Sequence, residues 1–201
     1  MEKQVWEQIS GGDQDAYARL YVFYYKQLYN YGRKFTSDAA LLEDALQEAL
    51  LAVWTGRSRL RQVEKPHTYL FSSFRYILYN KLRRDHRVRH LEETDAGEPD
   101  FGVEQLLIRQ DIESGVRQRL EQAILQLTSR QREAIFLRFY EGLSYEEVAE
   151  VMDISVKATY KIMSRALLQL KQTLSLSILS ILLLLRDLVW KFFLFFLLRV
   201  G

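Results

Sequence analysis

The side chains best placed for chemistry in this chain are long donors rather than nucleophiles. Lys157, Lys161, Ser164 and Arg165, with Tyr160 beside them, fall on the outer face of one amphipathic segment, and no acidic residue interrupts that face. Lysine and arginine at helical steps reach guanine edges and phosphate oxygens, and a short hydroxyl among them lets a helix sit deep in a groove. The opposite face, Val156, Thr159, Met163, Ala166, Leu167 and Leu170, recurs at three- and four-residue steps and is expected to pack inward. A merely solvated basic face would look the same on charge alone. The surrounding punctuation has to decide between them.

Enzyme chemistry finds little support in the sequence. The three histidines, His67, His86 and His90, lie inside a basic block and not at metal-ligand spacing. There is no cysteine, hence neither a disulfide framework nor a thiolate metal site. Neither a Gly-rich phosphate loop nor a nucleophile elbow occurs. No catalytic residue, metal or cofactor is expected. The net charge of +2 hides strong segregation: residues 57–90 carry ten lysines and arginines against only Glu64 and Asp85, whereas Glu43, Asp44 and Glu48 make the preceding stretch acidic. Separate surfaces for separate partners are implied, the basic one suited to phosphate.

The donor face needs elements to position it, and the sequence from Thr128 to Lys171 has the stops and starts of a helix-turn-helix. Thr128 with Gln131 forms one capping-box pattern and Ser144 with Glu147 another. Glu141-Gly142 between them supplies a helix stop and a left-handed turn position. A short helix over 145–152 would place Val148, Ala149 and Met152 on one side, with Asp153 at the tight turn and Ser155 capping the next helix. Upstream, an aromatic stripe from Tyr17 to Tyr31 predicts a core helix over 13–35, and a second helix runs over 38–54 from a Ser37 or Asp38 cap. Pro66 opens a third over 67–88. Residues 91–103 read as a flexible acidic linker, and a further helical set spans 104–173. With glycine and proline scarce and no strand-like alternation, the fold class is all-α: two small helical domains joined by the linker, followed by an apolar C-terminal helix.

With these residues in place, the stretch LTSRQREAIFLRFYEGLSYEEVAEVMDISVKATYKIMSRALLQL (127–170) resembles region 4 of the extracytoplasmic-function (ECF) sigma factors, within the sigma-70 family. EDALQEALLAVW (43–54) is similar to region 2.2, and HTYLFSSFRYILYNKLRRDHR (67–87) sits where regions 2.3 and 2.4 belong. The resemblance implies a sigma factor that binds core RNA polymerase and directs promoter-specific initiation, with region 2 over 10–90 and region 4 over 104–173. In such a reading the polymerase dock is Asp44, Gln47, Glu48 and Leu51, which share one helical face while Leu42, Leu46, Ala49, Leu50 and Val53 line the other. The −10 element, duplex and melted strand, would meet Phe74, Arg75, Tyr76, Asn80, Lys81, Arg83 and Arg84, because aromatics stack on unpaired bases and cations hold the backbone. Lys157, Tyr160, Lys161, Ser164 and Arg165 would meet the −35 element. Two departures stand out: Arg75-Tyr76 replaces a frequent Arg-Asn, and Lys157-Ala158 replaces a frequent Gly-Thr.

A helix-turn-helix regulator of another type, membrane-tethered or not, is the alternative. A response regulator would want a doubly wound receiver where residues 1–90 are helical and aromatic. An anti-sigma protein is a further partner the resemblance leaves open, and a cytoplasmic location is expected. The family pattern does not explain the tail, residues 174–201, LSLSILSILLLLRDLVWKFFLFFLLRVG. Its length suits a bilayer span, but Arg186, Asp187 and Lys191 sit near its middle. About −5 to −11 kcal/mol from the apolar residues meets about +8 to +10 from the three charges, a sum near zero. Membrane contact at the inner face of the cytoplasmic membrane, a lid folded back on the sigma modules, and an extension of the core all remain open.

Overall fold

The computed structural model describes residues 2–89, 101–102 and 114–174. These residues form α1 (Glu2–Ser10), α2 (Gln14–Gly32), α3 (Ala39–Thr55), a 3₁₀ segment (Arg57–Gln62), α4 (Pro66–Arg89), α5 (Ser114–Leu125), α6 (Ser129–Ile135), α7 (Tyr145–Met152) and α8 (Val156–Leu174), with no strand among them. The tail beyond residue 174 and most of the linker lie outside the described residues. Among the described residues, no helix is long and apolar enough to cross a membrane.

Local chemistry sets the boundaries of the first module. Asp13 accepts from the Ala16 N–H at 2.9 Å to start α2, and Asp38 accepts from Leu41 at 3.0 Å to start α3. α4 begins at Pro66, whose missing N–H costs nothing in a first turn. The apolar back of α3 is entirely buried: Leu42, Ala45, Leu46, Ala49, Leu50 and Val53. The aromatic stripe of α2 divides. Leu20, Tyr24, Leu28 and Tyr31 enter the core, whereas Tyr21, Tyr25 and Tyr29 form a stacked ladder at its rim, with centroids 5.7 and 6.0 Å apart. Gly32 lets α2, α3 and α4 converge, since a Cβ there would come within 2.4 Å of Leu42 Cδ1 and 2.8 Å of the Phe74 ring.

The second module packs directly on the first. α4 lies against α7, and a single apolar core runs from Trp6 through Phe71 and Phe74 to Phe136, Val148 and Met163. Phe101, from the segment read as linker, is fully buried at this seam, ringed by Tyr31, Phe35 and Phe136. Its N–H donates to Ser129 Oγ at 2.6 Å, and the Gly102 N–H donates to the Lys34 carbonyl at 2.5 Å. Burying one such aromatic contributes about 1.5–3 kcal/mol. The linker is therefore pinned at one point between the two modules.

Candidate nucleic-acid interface

Each device expected of the helix-turn-helix is present in α6–α8. Thr128 and Gln131 form a reciprocal capping box (2.8 and 3.3 Å), as do Ser144 and Glu147 (2.8 and 3.2 Å). α6 widens into a π turn over Phe136–Tyr140 and ends at Gly142, whose φ of 76° only glycine adopts without cost. Asp153 takes the left-handed conformation (φ 54°, ψ 51°), so α8 leaves α7 through a tight turn. Ser155 Oγ then accepts from the Ala158 N–H at 3.2 Å and caps α8.

This scaffold gives α8 two distinct faces. Thr159, Met163 and Ala166 are buried, with Leu167 and Leu170 half-buried beside them. Val156, expected inward, is exposed, because it occupies the first position of α8, ahead of the packed seam that begins at Thr159. Lys157, Tyr160, Lys161, Ser164 and Arg165 are all exposed, and they form an uninterrupted donor surface.

The α4 surface is different, and only part of the expected set faces out. Tyr76, at 71% exposure, Arg83 and Arg84 are exposed, and Asn80 is half-buried; steps of four, seven and eight residues put all four on one helical face. Phe74 is instead fully buried among Tyr31 and the core, so its ring cannot stack on a base in this arrangement. Lys81 points toward α3, where its ammonium bridges Asp44 at 2.6 Å and Glu48 at 2.7 Å, and both carboxylates hold its pKa above the ordinary lysine value. Arg75 points toward α6 and pairs with Glu133, Nε to Oε1 at 2.6 Å and Nη2 to Oε2 at 3.3 Å. Residues at 74, 75 and 81 carried the right chemistry, but their helical phase turns them away from the exposed stripe.

Glu133 is the feature that sequence reasoning missed. It is 1% exposed, lies on α6, and accepts from Tyr31 Oη (2.5 Å) and Tyr79 Oη (3.3 Å) as well as from Arg75. Burial and the neighbouring carboxylate hold the Tyr31 phenol well above its ordinary pKa. For Arg75, burial opposes the charge, but the Glu133 carboxylate outweighs it and raises the pKa. All three donors come from the first module and the acceptor from the second. The only signal in the sequence was a lone carboxylate immediately before the apolar run Ala134–Leu137. A second charged pair flanks the same seam. Burial pushes Lys34 down to about 8 and Glu141 up to about 7, each partly offset by the charge of the other. Lys34 Nζ also sits 4.9 Å from the centre of the Phe136 ring.

On α3, Asp44, Gln47, Glu48 and Leu51 are all exposed and share one face. The structure thus presents an acid-amide surface on α3, a mixed aromatic-basic stripe on α4 and an exposed basic face on α8.

Comparison with known proteins matches this arrangement module by module. The family model for Sigma-70 region 2 matches residues 20–88, and that for Sigma-70, region 4 matches residues 117–170. The RNA polymerase sigma factor YlaC of Bacillus subtilis is 27% identical over 171 residues, covering 81% of this chain and 94% of the relative. The ECF RNA polymerase sigma factor SigK of Mycobacterium tuberculosis is 26% identical over 176 residues, covering 84% and 91%. Among solved structures, CnrH in complex with the cytosolic domain of CnrY aligns with a TM-score of 0.54 at 21% identity, over 86% of this chain and 96% of that one. RpoE of Bartonella quintana, in complex with the anti-sigma factor NepR, aligns with a TM-score of 0.57 at 21% identity, over 80% and 97%. Both modules, in their order and with the helix-turn-helix geometry intact, place the chain in the sigma-70 family, among its ECF members.

Proposed function

We infer that this chain is a sigma factor: it binds core RNA polymerase and directs promoter-specific transcription initiation, while catalysis belongs to the polymerase. The observation that carries the reading is the unbroken donor face of α8, held on a helix-turn-helix with two complete capping boxes. α8 would enter the major groove of the −35 element. The stripe of Tyr76, Asn80, Arg83 and Arg84 would meet the −10 element, and the α3 face would dock on the polymerase. Co-purification with core polymerase, followed by run-off transcription from a randomised promoter library, tests the whole reading. A chain that neither co-purifies nor selects a promoter would refute it.

Within that reading, Lys161→Ala and Arg165→Ala should separate two kinds of contact. Loss of a base contact should cost about 1–3 kcal/mol and relax preference at one position, whereas loss of a phosphate contact should weaken all sequences alike and flatten the salt dependence. Binding to promoter variants at fixed salt distinguishes them. Unchanged affinity and preference in both variants would remove α8 from the −35 assignment.

The closed packing belongs to the same proposal. Promoter elements lie well apart along a duplex, but α4 and α8 are both packed against α7. Simultaneous reading of both elements therefore requires the modules to part, which would also free Arg75 from Glu133. RpoE was solved with the anti-sigma factor NepR, and a protein partner of that kind, bound to the closed form, is part of this reading.

The tail, residues 174–201, is proposed to localise or restrain the protein, with membrane contact and an intrachain lid as the two forms. Truncation after Thr173 separates them. An anchor predicts that full-length protein sediments with membranes and truncated protein does not. A lid predicts that both stay soluble and that truncation raises polymerase affinity. A truncated protein identical in location, solubility and transcription would sink both.

A further inference from the structure

The Tyr160 ring does not stand alone on α8. It stacks face to face on Tyr145, the first residue of α7, with ring centroids 4.4 Å apart and planes 11° from parallel. Arg138 lies over the Tyr145 ring with its guanidinium carbon 5.3 Å from the centroid, and Arg138 Nη1 donates to the Leu143 carbonyl at 2.8 Å. The column is therefore tied at one end to the turn between α6 and α7. Tyr145 is half-buried and packs against the core, whereas Tyr160 at the other end is 51% exposed. A phenol turns about only two side-chain torsions, and a parallel stack on a fixed partner restricts both.

The exposed end of that column sits among cations but is not one. Lys157, Lys161 and Arg165 supply charge attraction to phosphates, and the Tyr160 ring adds an apolar surface among them. With one ring face covered by Tyr145, Tyr160 offers a groove its edge and its other face. The apolar feature that a major groove presents to such a surface is the C5-methyl of thymine. A ring free to swing would meet that methyl only part of the time. A ring held by a stack meets it in one geometry.

We propose that Tyr145 is a specificity-determining positioning residue: held beside Arg138, it fixes Tyr160 in the orientation that reads a thymine methyl in the −35 element. The proposal deepens the reading of α8 as the recognition helix and rests on it.

Deoxyuridine, which lacks only the methyl, is the probe. Full-length protein is titrated with a duplex carrying the −35 element selected in the transcription assay, thymines being replaced by deoxyuridine one at a time. Wild type should lose about fourfold in affinity at one position, the worth of one buried methyl. Tyr160→Ala should erase that difference at the same position. Tyr145→Leu should erase it as well with the salt dependence unchanged, because the cations of α8 remain in place. Tyr145→Phe, which keeps the stack, should retain it. Tyr145→Met serves the same comparison if the leucine variant loses helical content. A Tyr145→Leu or Tyr145→Met protein that keeps the full thymine-to-deoxyuridine ratio overturns the proposal, as does a wild type insensitive to every replacement. A wild type that binds the −35 duplex no better than a scrambled one instead refutes the underlying assignment of α8.

Discussion

Replacing Glu133 by alanine should destabilise the chain by about 3–5 kcal/mol and part α6–α8 from α4, the range expected when one partner of a buried ion pair is removed. The carboxylate is 1% exposed, and the Arg75 side chain opposite is only 12% exposed. Its removal leaves the guanidinium without its carboxylate and takes from the Tyr31 and Tyr79 hydroxyls an acceptor they share with it. The pair itself need not be favourable relative to an apolar substitute, because desolvating two charges offsets much of their attraction. Combining Glu133→Leu with Arg75→Met should therefore cost less than Glu133→Ala alone, since no charge is left buried. Urea unfolding gives the stability change, with a constant slope showing that the midpoint reports stability alone. Module separation can be followed by energy transfer between dyes on α4 and α8; the chain has no cysteine, so two introduced thiols label cleanly. If Glu133→Ala unfolds at the wild-type midpoint with unchanged dye separation, the buried carboxylate is not what holds the seam.

The parts of this architecture legible in the sequence were those whose cause is local. Thr128 with Gln131, Ser144 with Glu147, Asp153 and Ser155 act within three or four residues of themselves, and each is found in the expected role. The apolar back of α3 could be read because helical periodicity alone assigns it. What escaped was long-range. Glu133 meets Tyr31 across 102 residues and Arg75 across 58. No periodicity encodes such a meeting, and a carboxylate beside an apolar run reads as an ordinary exposed charge. Phe101 was hidden for the opposite reason: acidic and glycine-rich neighbours made its segment look like solvated chain. On α4 the residue types were right but their phase was not assigned. Basic and aromatic side chains occur all around that helix, so the stripe of Tyr76, Asn80, Arg83 and Arg84 emerges only once α3 and α7 occupy the other sides.

Reversing two charges on α3 should have the largest effect on function: Asp44→Arg with Glu48→Arg is expected to abolish association with core polymerase while leaving helical content intact. Both side chains are well exposed, at 68% and 55%, on the side of α3 opposite its buried leucines, so the fold has little to lose. Lys81 makes the effect sharper. In the free protein its ammonium sits between the two carboxylates, so the face that would meet a cationic partner already holds an internal cation. A cationic groove on the partner would have to displace or share it, which charge-assisted and bidentate guanidinium pairing can do better than one ammonium. With both positions reversed, the groove would meet two arginines and an unpaired lysine, and like charges facing each other across an interface cost several kcal/mol. Lys81→Met is the informative companion. It removes the internal competitor while sparing the acidic face, so polymerase binding should be retained or strengthened, whereas binding through the reversed face should be lost. Co-purification with core polymerase and far-ultraviolet circular dichroism read the two effects separately. Wild-type yield from the doubly reversed protein would mean that the polymerase is held elsewhere and that this acidic face only anchors Lys81.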